Sequence, residues 1–185
     1  MIFILTGSIY SGKTTFLKKV VNELKRQNLK IDGFLSDAVL KNQERIGYDL
    51  FDLSEERSIP FIRKKGEKGW EKIGSFFFIP QSLTHAKNII LRSNEADILV
   101  VDEVGPQELT GKGLWPALKQ VIFLPQKVCL LVVRRNILKD FVEIVKEKEV
   151  KIFDVRKKGI FSQIIEEIKR NMKSIQKSSK VYENK

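Results

Sequence analysis

The first fifteen residues constrain the fold of this chain more than any other stretch. An unbroken apolar run, I-F-I-L-T at residues 2–6, passes directly into G-S-I-Y-S-G-K-T-T at residues 7–15. A short run with no polar alternation is a strand buried on both faces, the kind found in a parallel sheet covered by helices. Immediately behind the loop, Phe16, Leu17, Val20, Val21 and Leu24 recur at helical spacing, in a helix expected to end near Asn28. Strand, glycine loop and helix therefore follow one another without a spacer.

The rest of the chain repeats that alternation. D-I-L-V-V-D-E-V-G-P (97–106), K-V-C-L-L-V-V-R-R (127–135) and V-K-I-F-D-V (150–155) are further buried strands, separated by helices expected at Gly113–Ile122, Ile137–Lys148 and Ile160–Lys173. Between the first helix and this series lie I-D-G-F-L-S-D-A-V and R-I-G-Y-D-L-F-D-L, predicted to pair as a hairpin across K-N-Q-E. R-K-K-G-E-K-G-W (63–70) reads as a mobile basic loop. S-F-F-F-I-P is a strand stopped by Pro80, and Gln81–Ser93 is a helix. The expectation is an α/β domain over residues 1–173, its mostly parallel sheet flanked by antiparallel strands. A polar, basic tail, frayed in character, follows over residues 174–185.

Composition narrows the partners. Thirty-four Lys and Arg against 23 Asp and Glu give a formal charge of +11, which favours anions such as nucleotides, nucleic acids or acidic surfaces without choosing among them. The abundance of Lys and Glu also suits a protein from a hot environment. Cys129 has no partner for an internal disulfide and reads as a small buried hydrophobe. His85 is the only histidine, with no metal-ligand cluster around it in the sequence, so no metal role is expected for it. The apolar start is too short for a secretory signal, and no segment reaches the roughly 18 apolar residues of a membrane span. A cytoplasmic protein without membrane contact is expected.

The loop carries the chemistry. Gly7, Gly12, Lys13 and Thr14 match G-x-x-x-x-G-K-[ST], in the strand-to-helix context that gives the pattern meaning. Backbone N–H groups of Gly7, Ser8, Ile9, Tyr10, Ser11, Gly12, Lys13, Thr14 and Thr15 can converge there, at the positive end of a helix dipole, and cradle a polyphosphate. Lys13 would reach the β- and γ-phosphates, and the Thr14 hydroxyl would ligate the bridging Mg²⁺. A loop that merely turned a strand into a helix would need neither side chain. The metal also needs an acid at the end of a neighbouring buried strand, and Asp102 supplies it, through a water. Glu103, one residue on, is the candidate general base for the attacking water. Arg134 and Arg135 end another core strand at the carboxyl edge where α/β sheets gather ligands, and one of them is expected to contact the γ-phosphate.

With both motifs in place, the sequence resembles the small P-loop nucleoside-triphosphatases first described from thermophiles, whose animal members are called cancer-related nucleoside-triphosphatases. The resemblance extends to about residue 155, carried by the glycine loop, by G-F-L-S-D-A-V and R-I-G-Y-D-L-F-D-L, and above all by V-V-D-E-V-G-P-Q-E-L. The last is similar to the family's D-E-I-G-P-M-E-L, with Val104 for isoleucine and Gln107 for methionine, and matches it at Asp102, Glu103, Gly105, Pro106, Glu108 and Leu109. The resemblance implies a three-layer P-loop NTPase sandwich, with an additional strand, here 127–133, between the strand bearing the glycine loop and the strand bearing the acids. It also implies Mg²⁺-dependent hydrolysis of nucleoside triphosphates to diphosphate and phosphate with broad base tolerance. Tyr10 and Ser11 stand where glycine and valine are common in the family. That departure leaves the cradle intact but bears on loop flexibility, turnover or base contact, unless Tyr10 is a surface aromatic without a role.

Two other classes compete. A kinase passing the γ-phosphate to a small acceptor, with the 63–70 loop as a lid, would use the same cradle, although no acceptor motif is visible. A nucleic-acid-stimulated ATPase or nucleotide-gated binding module would use the positive charge, but the basic residues are spread along the chain rather than interleaved with aromatics. The preferred base, the physiological substrate and the oligomeric state have no signature in the sequence.

Overall fold

The computed structural model describes residues 1–183 of the chain, with side chains as far as Lys177. The strands are β1 (Ile2–Thr6), β2 (Ile31–Lys41), β3 (Glu44–Asp52), β4 (Arg57–Arg63), β5 (Lys72–Ile73), β6 (Phe76–Phe78), β7 (Ile98–Val104), β8 (Val128–Val133) and β9 (Val150–Asp154). The helices are α1 (Lys13–Arg26), α2 (Pro80–Arg92), α3 (Pro106–Leu109), α4 (Trp115–Ile122), α5 (Leu138–Ile144) and α6 (Ile160–Glu183). All strands join one sheet in the order β5-β6-β4-β3-β2-β7-β8-β1-β9. From β2 to β9 the pairs are parallel, and from β2 outward to β5 they are antiparallel. The additional strand is where it was expected, with β8 between β1 and β7.

The central strands are apolar throughout because both faces are covered. β1 and β8 are buried along their whole length. On one face Phe3, Leu5, Val100, Leu130 and Val132 meet Leu17, Val20, Val21 and Leu24 of α1 and Ile164, Ile165 and Ile168 of α6. On the other, Ile4, Leu99, Val101 and Leu131 meet α2, α4 and α5, and the same cluster continues onto the antiparallel wing through Leu50, Phe61 and Phe78. Cys129 lies in this core, and burial pushes its thiol up to about 12, as befits an inert buried hydrophobe.

Local chemistry explains the wing. The β2–β3 turn places Asn42 and Gln43 at φ 49° and 63°, the left-handed pair that a two-residue hairpin requires. Gly33 has a φ of 130°, and a Cβ there would come within 1.9 Å of the Val100 carbonyl oxygen, so no other residue permits β2 and β7 to pair this closely.

Several elements differ from expectation: the short β5 and α3 were not expected, α5 ends at Ile144 rather than Lys148, and β4 and α6 depart further. Strand β4 was not among the expected strands, and its interior holds Pro60. It is accommodated opposite Asp49, next to the register shift between Tyr48 and Asp49, where the ladder is already interrupted. In the basic loop after β4, Gly66 lies against Phe77, where a Cβ would approach the ring to 2.3 Å. Helix α6 does not stop at Lys173 but continues to Glu183, its spacing sustained by Met172, buried, and Ile175, packed against the same core. The expected frayed tail is thus helical over residues 174–183, and residues 184–185 lie outside the described residues.

His85, on α2, has its Nε2 3.4 Å from Asp52 Oδ2, near Glu55. A guanidinium already serves this acidic group: Arg92 donates to Asp32, Asp52 and Glu55, at 2.6 Å to Asp52 Oδ1.

Candidate functional site

The glycine loop lies across the carboxyl edge of β1. At Gly7 a Cβ would fall 2.5 Å from Ser11 Oγ and 3.0 Å from Val155 Cγ2, so any larger residue would have to displace the Ser11 side chain. Tyr10 (φ 64°) and Gly12 (φ 76°) take left-handed conformations that fold the loop back over the start of α1. Helix α1 has no side-chain cap, so its first amides are satisfied neither by the helix nor by a capping group. The Ser11 hydroxyl is buried without a partner. Unsatisfied donors at a positive helix end are what an anion needs.

Lys13 Nζ folds back onto the Ser8 carbonyl oxygen at 3.0 Å. Burial lowers its pKa, and Glu103 and Asp102 partly oppose that shift. Opposite, at the end of β7, Asp102 is buried, accepts the Ser36 N–H at 3.1 Å and a hydrogen bond from the Thr14 side chain. Desolvation raises its carboxyl to about 7 against the pull of those two donors, with Glu103 and Asp37 adding to the rise. A buried carboxylate beside a threonine hydroxyl is a hard oxygen donor set, which suits Mg²⁺.

Glu103 is turned the other way. Its φ of 77° is rare for a residue with a Cβ, and the β7–β8 register slips between Val101 and Val104 to admit it. Successive acids thereby leave the strand in different directions, Asp102 toward Ser36 and Thr14, Glu103 toward Arg134. Arg134 Nε donates to Glu103 Oε1 at 2.9 Å. The turn after β7 is held by Glu108, which is buried and accepts the Gly105 N–H at 2.7 Å and the Leu114 N–H at 3.0 Å. This explains the terminal acid of D-E-V-G-P-Q-E-L: it anchors the loop rather than facing the cleft.

The loop, both acids, Arg134, Arg135 and Asn136 line one open cleft of about 1030 Å³, together with Ser36, Asp37, Arg45, Tyr48 and Phe76. The two expected arginines differ. Arg134 joins the acids, whereas Arg135 is bound to Asp154 at the exposed rim, beside Arg156. Ser36, Arg45 and Tyr48 were not foreseen as site residues. They sit in the segments that carry the family resemblance, but a serine or a tyrosine in a strand announces no role until the hairpin is folded over the cleft.

A glycine loop entering a helix, an acid pair on a strand one removed from it, and an additional strand between the two place this protein among the P-loop NTPases. Residues 2–173 match the sequence family described as NTPase, and the chain belongs to that family. It is 35% identical over 106 residues to the nucleoside-triphosphatase THEP1 of Saccharolobus solfataricus, a match covering 57% of this chain and 60% of that protein. A 36% match to THEP1 of Metallosphaera sedula covers 64% of this chain and 63% of that one, so the chain aligns with less than two thirds of either archaeal protein. With the cancer-related nucleoside-triphosphatase homolog of Bos taurus it shares 31% identity over 94% of this chain and 97% of the bovine protein. Among solved structures, the crystal structure of THEP1 from Aquifex aeolicus superposes with a TM-score of 0.74 at 21% identity, covering 91% of this chain and 99% of that one, a likeness of fold. The solution structure of a human cancer-related nucleoside triphosphatase gives 0.68 at 25% identity, over 95% and 97%.

Proposed function

We propose that the protein hydrolyses nucleoside 5′-triphosphates to diphosphate and inorganic phosphate, with Mg²⁺ as cofactor. The observation that carries this reading is the meeting of Thr14 and the buried Asp102 beneath the glycine loop, which joins a phosphate cradle to a metal-binding pair. Amides of residues 7–15 receive the α- and β-phosphates, and Lys13 exchanges the Ser8 carbonyl for a β/γ oxygen. Thr14 and Asp102, the latter through a water, would hold Mg²⁺, which when bound neutralises charge on the β- and γ-oxygens.

Arg134 fixes one oxygen of Glu103, leaving the other to accept a proton from a water aligned on the γ-phosphorus. As the water oxygen bonds to phosphorus, the bond to the β–γ bridging oxygen breaks, the diphosphate leaves with that electron pair, and Glu103 orients the nucleophile. Arg134 is thus a positioning residue, and Arg135, engaged by Asp154, lies a step further from the reaction.

The test is the fate of label. With γ-³²P ATP, GTP, CTP or UTP and Mg²⁺, radioactivity is expected in inorganic phosphate whether or not nucleosides or nucleoside monophosphates are present. Label accumulating on such an acceptor would overturn the hydrolytic assignment.

A further inference from the structure

Of the basic side chains that touch the cleft, most are already engaged. Lys13 is on the Ser8 carbonyl, Arg134 on Glu103 and Arg135 on Asp154. Arg45 is different. It stands at the start of β3, directly after the hairpin turn, and its guanidinium carbon lies 4.7 Å from the centre of the Tyr10 ring and 5.2 Å from that of Tyr48. One NH donates to the Tyr48 hydroxyl at 2.8 Å, and Nε is buried with no partner. Among the described residues no carboxylate lies within ion-pair distance of it. A guanidinium held by π-faces and one phenol, with an N–H unsatisfied, is a cation in waiting for an anion.

Tyr10 belongs to the glycine loop, so Arg45 is stacked on the crown of the phosphate cradle itself. Its charge is felt at Lys13, whose pKa is lowered first by burial and then by Arg134 and Arg45. We propose that Arg45 is the arginine that contacts the terminal phosphate of a bound triphosphate, delivered in cis by the β2–β3 hairpin and held ready between Tyr10 and Tyr48. This rests on reading the cleft as a triphosphate site. The driving force is an exchange of partners: stacking on an exposed ring, which leaves Tyr10 81% accessible, is weaker than a two-pronged guanidinium contact with phosphate oxygens. The contact gains strength as charge builds on the transferring phosphoryl group, so it accelerates the chemical step. A diphosphate, lacking that group, does not engage Arg45. Tyr10 then has a role that a glycine at the same position could not fill, since it carries the ring that parks the arginine.

The experiment compares Arg45→Ala, Arg45→Gln and Arg45→Lys with the parent for turnover, and for binding of fluorescent nucleoside diphosphate and of a nonhydrolysable triphosphate. Turnover is expected to fall by about 1,000-fold or more, the lower end of the range for an arginine acting on phosphoryl transfer. Triphosphate affinity should weaken at least about tenfold, with diphosphate affinity unchanged, and lysine should not restore turnover because it lacks the planar fork. Millimolar free guanidinium should return part of the activity of Arg45→Ala. Unchanged diphosphate binding also shows that the variants fold. Turnover within threefold of the parent in Arg45→Ala, or equal loss of diphosphate and triphosphate affinity in Ala and Gln variants alike, would overturn the proposal. Failure of the cleft reading itself has a separate signature, retention of triphosphate binding in Lys13→Ala.

Discussion

Glu103 shows what a single residue can reveal. A left-handed backbone at a residue with a Cβ costs on the order of 1–2 kcal/mol, and the sheet accepts a register slip to keep it. Strain retained at a cleft points to use. Glu103→Gln should bind a triphosphate as well as the parent while slowing hydrolysis by about 100-fold or more, read as kcat against nucleotide affinity. Glu103→Gly should be equally inactive yet unfold no earlier than the parent, because glycine relieves the left-handed conformation; a marked loss of thermal stability would show the strain to be unimportant. The sequence displayed the acid pair plainly but not the turn between its members, since a φ value has no letter. The two adjacent arginines look alike for a related reason, and only the fold shows Arg134 paired with Glu103 and Arg135 with Asp154.

At the scale of elements, the parallel strands and the helices between them were legible because burial on both faces writes an unbroken apolar run. The wing was half legible. Its hairpin carried alternation and a turn, whereas β4 holds Pro60, tolerated only beside a register slip that depends on the partner strand. The β2–β7 junction is the least forgiving contact: Gly33→Ala would press a methyl group into the Val100 carbonyl and should cost about 3 kcal/mol or more, measured by denaturant unfolding. The start of β2, the end of β3 and the end of α2 meet at Arg92 and its carboxylates. Burial pushes Asp52 upward, but N–H donors from Glu55, Arg92 and Ser54 prevail and hold its carboxyl below the ordinary 3.8. A depressed folded pKa contributes stability that is complete above the unfolded value and is lost as pH falls through the folded one. Stability should therefore decline below about pH 4, and Asp52→Asn should flatten that decline while costing about 2 kcal/mol at neutral pH, a loss typical of hydrogen bonds to charged groups.

For the molecule as a whole, the charge of +11 invites a nucleic-acid reading, yet the cleft offers an anion site on the scale of one nucleotide, and many of the lysines and arginines are tied to acids across the surface. Binding to RNA or DNA should be weak at 150 mM salt, fall steeply with further salt, and leave turnover unchanged. Stimulated hydrolysis would contradict this. Charge and topology were both readable early, but how the wing stands against the cleft was not, because it depends on β2 pairing with β7, a strand far along the chain from it. Finally, β2 belongs to both halves of the sheet, bonded to β7 on one side and β3 on the other, with Ser36 tied to Asp102. A machine with one continuous backplate cannot work as a pair of jaws. Small-angle scattering should give the same radius of gyration for the empty and the nucleotide-loaded protein.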